Sequence, residues 1–223
     1  MCRSPKHKPE CLPDLAGSVL SQVAEGLAYT VEMVRYAITD RGFSIADVGR
    51  WSNDGVDFVQ LRAKSLDAGV LAKLARVILA DIAEVPGTKT RLLINGRADV
   101  AVAVGAAGVH LTAHPDELTP AQARRVFALA GRPAPVISIS CHTLDEVQRA
   151  RQAGVDLVLF GPVFEKRVHG EQASAGVGLE ALREACVAAG QVPVLALGGI
   201  TQQLVEACIR AGAAGVAGIR LFV

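Results

Sequence analysis

Short apolar runs alternate with amphipathic segments along most of this chain. The runs predict strands near 34–39, 56–62, 91–95, 107–111, 135–140, 156–160, 192–197 and 214–219. The amphipathic segments predict helices near 44–53, 67–84, 97–104, 119–130, 144–153, 178–189 and 201–211. Strict alternation indicates a parallel sheet, and eight strands favour a closed (β/α)₈ or TIM barrel. An open sheet is the alternative, but no Gly-x-Gly-x-x-Gly follows the first strand.

One junction recurs between the predicted helices and strands. A helical stretch ends on glycine, one or two small or acidic residues follow, and a β-branched run begins. This pattern appears at 54–59, 105–109, 154–158 and 212–216. Glycine ends a helix at low cost, so the next strand starts at once. The irregular spacing indicates repeated βα units and excludes a solenoid.

The two ends of the chain depart from a standard barrel. Residues 14–32 show a further helical pattern, and the chain stops at Val223, directly after the eighth strand. We therefore expect an N-terminal extension over 1–33, partly helical, and a barrel over 34–223 with little or no closing helix. The extra helix either covers an open barrel face or belongs to a leader without fixed structure.

Composition narrows the functional classes. The apolar fraction is 51%, the aromatic fraction is 4% and the net charge is +1. Ala, Val, Leu, Ile and Gly dominate, as in parallel sheets buried on both faces. The charge balance argues against nucleic-acid or acidic-membrane partners, and no apolar run could span a bilayer. Five scattered cysteines without a Cys-x-x-Cys motif favour reduced thiols, a cytoplasmic location and no zinc site.

The last two predicted strands carry the clearest functional signal. The segments 196–200 and 215–219 both combine a buried strand with glycines. In (β/α)₈ barrels the loops after strands 7 and 8 commonly bind phosphate. Glycines allow a phosphate to approach backbone N–H groups closely because no Cβ intrudes. The sequence therefore predicts a phosphate site at this end of the barrel.

Polar residues follow the other predicted strands, at the end where barrel enzymes do their chemistry. Arg62 and Lys64 suit an anionic group, although Lys64 is equally well explained as a surface charge. Asn95 either orients a ring nitrogen or carbonyl or serves as a turn residue. The full set of polar positions at these ends includes Thr39, Asp40, Gln60, Arg62, Lys64, Asn95, Arg97, His110, Ser138, Ser140, His142, Glu165 and Lys166.

The sequence predicts different roles for two histidines. His142 immediately precedes Thr143, which begins a capping box with Glu146. The positive end of a helix disfavours an imidazolium, so His142 is the predicted proton acceptor. His110 lies among apolar neighbours, and we interpret it as a hydrogen-bonded histidine of the barrel interior.

The segment 161–178 is long for a βα loop and is predicted to act as a lid. At its start, Glu165 and Lys166 suit an acid and a phosphate ligand. His169 and Glu171 are expected to be solvated. No His, Asp or Glu residues show metal-ligand spacing, so the sequence predicts no metal site.

These motifs together resemble the thiamine phosphate synthase and TenI family, from Tyr36 to Ile219. The matching pieces are Tyr-Ala-Ile-Thr-Asp (36–40), Gln-Leu-Arg-Ala-Lys (60–64), Ile-Asn-Gly-Arg (94–97), Gly-Val-His-Leu (108–111), Ser-Cys-His-Thr (140–143), Phe-Gly-Pro-Val-Phe (160–164) and Leu-Gly-Gly-Ile (197–200). The resemblance implies a barrel enzyme of thiamine biosynthesis. It also implies that a thiazole phosphate binds to the backbone N–H groups of Gly198, Gly199, Ile219 and Arg220.

The two branches of the family differ at positions that this chain shows. The synthase joins an aminopyrimidine diphosphate to the thiazole phosphate with Mg²⁺ and releases pyrophosphate. Its first Asp is here Gly96, and its second corresponds to His114 or Pro115. Loss of both puts Mg²⁺ binding in doubt. Asn-Gly-Arg (95–97), Ser-x-His-Thr (140–143) and Val-Phe-Glu (163–165) instead resemble the TenI branch.

The TenI resemblance implies a metal-independent thiazole tautomerase in which His142 matches the base. Ser140 belongs to the matching substrate-binding positions, and Arg62 and Lys64 are inferred to hold the substrate carboxylate. Gln60 and Lys64 keep the synthase pattern, and Arg220 replaces a small residue. The alternatives are a Mg²⁺-dependent synthase with ligands such as Asp116 or Glu117, and a non-catalytic thiazole-phosphate binder.

We therefore expect a small thiazole phosphate as the partner, with neither nucleic acid nor membrane. A homo-oligomer is possible on this reading. No cofactor is expected for the tautomerase, and Mg²⁺ is expected only for the synthase.

Overall fold

The computed structural model describes residues 33–40, 42–114, 116–168 and 171–222, with backbone alone in 166–168 and 171–174. The strands are β1 Val34–Ile38, β2 Phe58–Leu61, β3 Arg91–Asn95, β4 Gly108–Thr112, β5 Val136–Cys141, β6 Leu157–Phe160, β7 Lys166–Val168, β8 Glu171–Ser174, β9 Val194–Leu197 and β10 Gly215–Gly218. The helices are α1 Ile45–Asn53, α2 Ala68–Ala83, α3 Ala98–Val104, α4 Pro120–Leu129, α5 Leu144–Gln152, α6 Gly178–Ala189 and α7 Gln202–Arg210. The predicted helix over 14–32 lies outside the described residues.

Eight of the strands close into one barrel. Their order is β1-β10-β9-β6-β5-β4-β3-β2, and each neighbouring pair is parallel. The first and last strands pair directly, with Val34 opposite Gly215. The predicted (β/α)₈ barrel is therefore confirmed, and the predicted strand and helix positions agree with the structure to within a few residues. All eight carboxyl ends meet at one rim.

The apolar side chains form two layers, as alternation along each strand requires. Tyr36, Ile38, Phe58, Leu93, Leu157, Leu159, Leu195 and Ala217 form a cluster inside the barrel. The intervening positions, such as Ala37 and Cys141, pack with the helices in a larger outer cluster. This division leaves the inner positions near the rim available for polar side chains.

Helix starts place several rim residues. Thr119 and Thr143 cap α4 and α5, and each forms a reciprocal capping box with the residue at the third helical position. The box at Thr143 agrees with the sequence prediction. Ser44 forms a third box with Asp47 at the start of α1. A capping box fixes the residues just before a helix, so the capped loops at the rim have defined geometry.

Two regions add detail that the sequence left open. The segment 161–178, predicted as a long βα loop that acts as a lid, contains the hairpin β7–β8. No helix follows β10 as far as residue 222, in agreement with the prediction. Instead Leu221 and Phe222 are buried, and Trp51 Nε1 donates a hydrogen bond to the Phe222 carbonyl at 2.9 Å. Within the described residues, no helix has the length and apolar character needed to cross a membrane.

Candidate active site

A cavity of about 810 Å³ opens at the carboxyl ends of the barrel strands. Its wall includes eleven of the twelve residues predicted to act in catalysis, substrate binding or phosphate binding: Gln60, Arg62, Lys64, Asn95, Ser140, His142, Glu165, Gly198, Gly199, Ile219 and Arg220. Thr39, Asp40, Arg97 and Ser138, which also follow or end predicted strands, do not line it. Lys166 begins β7, and its side chain lies outside the described part of the structure. Residues from distant parts of the sequence therefore converge on one space.

His142 lies on the cavity wall in the turn between β5 and α5. Its backbone N–H donates to Glu146 Oε2 at 2.5 Å, so the capping box of α5 also holds the histidine backbone. On the ring, Nδ1 lies 2.5 Å from the Gly161 carbonyl oxygen. A carbonyl only accepts, so Nδ1 carries the hydrogen. In the neutral ring Nε2 then keeps a lone pair and can accept a proton.

Gln60 and Asn95, on β2 and β3, form a hydrogen-bonded pair on the cavity wall. Gln60 is 2% exposed, and its Nε2 donates to Asn95 Oδ1 at 2.7 Å. Gln60 Oε1 is buried and has no hydrogen-bond partner among the described residues. A buried acceptor without a partner costs free energy, so this atom fits a donor group on a bound molecule. The Asn95 side-chain oxygen thus accepts from another side chain, and the orienting role of Asn95 toward a ligand stays a prediction.

Positive charge dominates the cavity wall. Arg62, Lys64 and Arg220 contribute three cations, while Glu165 is the one carboxylate among the described residues that line the cavity. The Arg62 backbone N–H donates to the buried Thr39 Oγ1 at 2.9 Å, which fixes the chain as it leaves β2. This balance favours a ligand that carries negative charge at more than one point.

The loops after β9 and β10 bring bare backbone to the cavity. Gly198 and Gly199 have φ angles of +93° and +64°. A Cβ at Gly198 would lie 2.7 Å from Pro162 Cα, and one at Gly199 would lie 2.6 Å from the Glu165 carbonyl oxygen. Glycine is thus required here by both conformation and space. Such loops expose N–H groups that can surround an anion.

The first turn of α7 adds to this anion-binding character. Thr201 and Gln202 line the cavity, and Thr201 caps the helix without a side-chain hydrogen bond. The N–H groups of Gln202 and Gln203 donate to no described group and remain available beside the glycine loops, whereas the Leu204 N–H donates to the Thr201 carbonyl at 2.9 Å. Gln202 Nε2 donates to the Leu221 carbonyl at 2.8 Å, which ties the loops after β9 and β10 together. The sequence signal for this feature was Thr201, a helix-capping residue directly after the glycine loop Gly198-Gly199-Ile200.

His110 is a cavity residue that the sequence analysis placed only in the barrel interior. It is 3% exposed and also lines the cavity. Its Nδ1 lies 2.9 Å from Ser138 Oγ, and its Nε2 lies 2.9 Å from Ser140 Oγ. Burial, aided by the charges of Arg62 and Lys64, lowers the pKa of His110 from 6.5 to about 3. The ring is therefore a hydrogen-bonded histidine of the barrel interior, as predicted, and it also reaches the cavity, which was not predicted.

The other acidic residues near the rim have partners elsewhere. Asp99 pairs with Arg97, whose Nη2 lies 2.6 Å from Asp99 Oδ2, and the hydrogen bond from Arg97 lowers the pKa of the Asp99 carboxyl. Glu117 Oε2 accepts from the Thr112 N–H at 3.1 Å, and an ideal Cβ on Gly96 would lie 3.9 Å from the same oxygen. None of these carboxylates lines the cavity.

The described cavity wall offers a single carboxylate, Glu165, to a Mg²⁺ ion. No group of three or more His, Cys, Asp or Glu side chains within the described ranges is arranged to hold a metal. His114 lies near Asp116, with His114 Nδ1 3.5 Å from Asp116 Oδ2, and both side chains are exposed. Pro115, the other position that could replace the synthase Asp, lies outside the described residues.

Comparison with known proteins agrees with this geometry. The model of the TMP-TENI family, described as thiamine monophosphate synthase, matches residues 35–222. "Putative thiamine-phosphate synthase 2" of Aquifex aeolicus is 36% identical over 84% of this chain and 96% of its own length. "Thiamine-phosphate synthase" of Methanoregula boonei is 38% identical over 82% of each chain.

A solved structure gives the same result. The thiamine phosphate pyrophosphorylase from Pyrococcus furiosus superposes with a TM-score of 0.69 at 26% identity, covering 84% of this chain and 85% of that one. The family match thus spans nearly the whole barrel, including the glycine loops after β9 and β10. The chain belongs to the TMP-TENI family of thiamine-biosynthesis enzymes.

Proposed function

We propose that this protein is a thiazole tautomerase that works without a metal ion. Its substrate is a carboxylated thiazole phosphate in a non-aromatic form, and the product is the aromatic ring. The reaction moves one proton between two ring positions, so it needs a positioned base and an acid. The observation that carries the proposal is the fixed tautomer of His142, whose Nδ1 hydrogen bonds to the Gly161 carbonyl.

In this proposal the phosphate of the substrate binds at the loops after β9 and β10. The N–H groups of Gly198, Gly199, Ile219 and Arg220 surround the phosphate oxygens, and the first turn of α7 adds the positive end of its dipole. None of these four N–H groups donates to another described group. The Arg220 guanidinium adds a positive charge at the same rim.

The carboxylate of the substrate lies at the other side of the cavity, next to Arg62 and Lys64. With the two anionic ends held, the thiazole ring lies between them and faces His142. His142 Nε2 accepts the ring proton, and the Nδ1–H bond to the Gly161 carbonyl stabilises the imidazolium that forms. Glu165, which also lines the cavity, is the proposed acid: its protonated carboxyl gives a proton to the second ring position, and it regains that proton from the His142 imidazolium through solvent before the next turnover. Lys166 is proposed as a further phosphate ligand at the start of β7.

The decisive experiment compares two histidine variants. His142→Asn removes the base but keeps a hydrogen-bonding side chain, while His114→Asn changes an exposed histidine outside the cavity. We expect His142→Asn to slow aromatisation, followed by absorbance, at least about 100-fold. Binding of the thiazole phosphate should stay within about threefold, and His114→Asn should behave as wild type. A normal rate in His142→Asn would overturn the proposal.

A thiamine-phosphate synthase is the second candidate, and two observations favour it. Several relatives carry that name, and the unpartnered Gln60 Oε1 suits a donor such as a ring amino group. The test mixes aminopyrimidine diphosphate, thiazole phosphate and Mg²⁺ and measures pyrophosphate. Release of pyrophosphate at a rate above that of aromatisation would replace the tautomerase. Tight binding without either reaction would leave a thiazole-phosphate binder.

A further inference from the structure

A chain of hydrogen-bonding groups runs from the barrel interior to the cavity. The Tyr36 hydroxyl lies 2.9 Å from Ser138 Oγ, and Ser138 Oγ lies 2.9 Å from His110 Nδ1. On the far side of the ring, His110 Nε2 lies 2.9 Å from Ser140 Oγ. Ser140 and His110 line the cavity, while Tyr36 and Ser138 are fully buried. Four groups from β1, β4 and β5 are thus connected in a fixed order.

The protonation state of each member follows from its surroundings. Burial raises the pKa of Tyr36, so the phenol keeps its hydrogen. Burial also keeps His110 neutral at ordinary pH, since its pKa falls to about 3. A neutral imidazole has one N–H and one lone pair, and each serine has one hydrogen to donate. The donor-to-acceptor direction of these hydrogen bonds therefore follows once the four hydrogens are assigned to atoms.

One of the two tautomers of His110 gives every buried hydrogen an acceptor. If Nδ1 carried the hydrogen, it would donate to Ser138, and Ser138 would donate to Tyr36. The Tyr36 hydroxyl hydrogen would then have no acceptor among the described residues, because its other neighbour, His110 Nδ1 at 3.4 Å, would itself be protonated. A buried donor without a partner costs about 1–3 kcal/mol.

With the hydrogen on His110 Nε2, every buried donor in this series of hydrogen bonds has an acceptor. Tyr36 donates to Ser138, Ser138 donates to Nδ1, and Nε2–H donates to Ser140. The Ser140 oxygen is then occupied as an acceptor, and its own hydrogen remains for a group in the cavity.

We infer that Ser140 is a directed hydrogen-bond donor toward the bound ligand and that His110 is the residue that positions it. Ser140 therefore selects an acceptor atom on the ligand and disfavours an N–H group at the same point. The identity of that acceptor as a carboxylate oxygen or ring nitrogen of the thiazole phosphate rests on the proposed function. His110 acts through Ser140 and does not itself transfer the proton.

The direction of the chain can be measured without any ligand. Protein labelled with ¹⁵N on histidine should show, by NMR, a His110 ring protonated at Nε2 and unprotonated at Nδ1 at neutral pH. Assignment uses the spectrum of His110→Gln, which lacks this ring. A ring protonated at Nδ1 would overturn the inference, whatever the enzyme's activity. This measurement is therefore independent of the tautomerase proposal.

A matched pair of variants tests the link to the ligand. Gln places an amide nitrogen near the position of Nε2 and can still donate to Ser140, whereas the shorter Asn reaches only Ser138. We expect His110→Asn to weaken binding of the carboxylated thiazole phosphate about tenfold, as does Ser140→Ala, and His110→Gln to stay within about threefold.

The double variant completes the test. His110→Asn combined with Ser140→Ala should bind about as well as Ser140→Ala alone, because both changes remove one interaction. Equal losses in the Gln and Asn variants, or additive losses in the double variant, would show that His110 acts by another route and overturn the inference. Failure of wild type to aromatise its substrate would sink the proposed function but leave the ligand-free NMR result standing.

Discussion

At the scale of single residues, the cavity depends on positions where a small change in geometry has a large effect. Gly199 is the clearest, because its left-handed backbone and the carbonyl groups of Phe164 and Glu165 leave no room for a side chain. Gly131, at the end of α4, has the same φ of +64° and nothing within 4 Å of an added Cβ. Substitutions at these two glycines therefore distinguish the cost of a left-handed backbone from the cost of crowding at the site.

The comparison predicts different outcomes for the two alanine variants. Gly131→Ala should reduce the free energy of unfolding by about 1–2 kcal/mol, the cost of a left-handed alanine, and leave ligand affinity unchanged. Gly199→Ala should lose more stability and bind thiazole phosphate at least about tenfold more weakly, because the facing loop must shift. Urea denaturation and calorimetric titration measure these effects. Equal affinity in both variants would contradict a phosphate site at Gly199.

Residue-level prediction from sequence succeeded where chemistry and position along a strand coincided. His142 was recognised because a helix cap follows it directly in the chain. The cavity role of His110 was missed because it depends on neighbours in space. Ser138 lies opposite His110 only in the register of β4 with β5, and Tyr36 comes from β1, which is not adjacent to either strand. No local pattern contains that information.

At the scale of elements, α4 and α5 start in the same way but have different neighbours. In α5 the Glu146 carboxylate closes the capping box and also accepts the His142 backbone N–H. In α4 Gln122 closes an equivalent box with Thr119. Neither Thr119 nor Gln122 lines the cavity. The start of α5 therefore has a second role, which is to hold the proposed base.

Removing the two capping side chains tests this role. Glu146→Ala and Gln122→Ala should each lower the free energy of unfolding by about 1 kcal/mol, because each breaks a capping box. Only Glu146→Ala should also slow aromatisation, about tenfold, because a misplaced base loses orientation. Thermal denaturation and initial rates provide the comparison. A rate loss of similar size in Gln122→Ala would mean that helix stability alone controls the activity.

At the scale of the whole molecule, the barrel could be predicted from the sequence because a helix separates each pair of consecutive barrel strands along the chain. The glycine junctions marked the starts of four of the eight barrel strands, and parallel pairing followed from the connections. The hairpin β7–β8 was not predicted, because Lys166–Val168 and Glu171–Ser174 lack alternating apolar residues. Its strands are defined by backbone pairing, which leaves little trace in composition.

Stability of the whole barrel should depend on pH through His110. The folded protein holds this ring neutral down to about pH 3, whereas the unfolded chain protonates it near pH 6.5. Between these values the unfolded state binds more protons, so the free energy of unfolding falls as pH decreases. The full stability is present above about pH 6.5, and each pH unit below it removes about 1.4 kcal/mol.

The non-titrating variant His110→Gln isolates this contribution. Its free energy of unfolding should fall less than that of wild type between about pH 7 and pH 4.5, by a few kcal/mol at most, when both are measured in urea. Carboxylates such as Asp47 and Asp99 titrate in both proteins and cancel in the difference. Parallel losses in the two proteins would show that His110 is not held neutral by the fold.

Cys141 stands in the chain between Ser140 and His142, yet alternation along β5 turns its side chain away from the cavity and into the outer apolar layer. The thiol is fully buried, and burial raises its pKa to about 12. Alkylating reagents and peroxides attack the thiolate, which this environment suppresses. The Cys141 sulfur lies in the chain between two residues of the proposed site, yet it is shielded from the electrophiles and oxidants that inactivate many thiol-bearing enzymes.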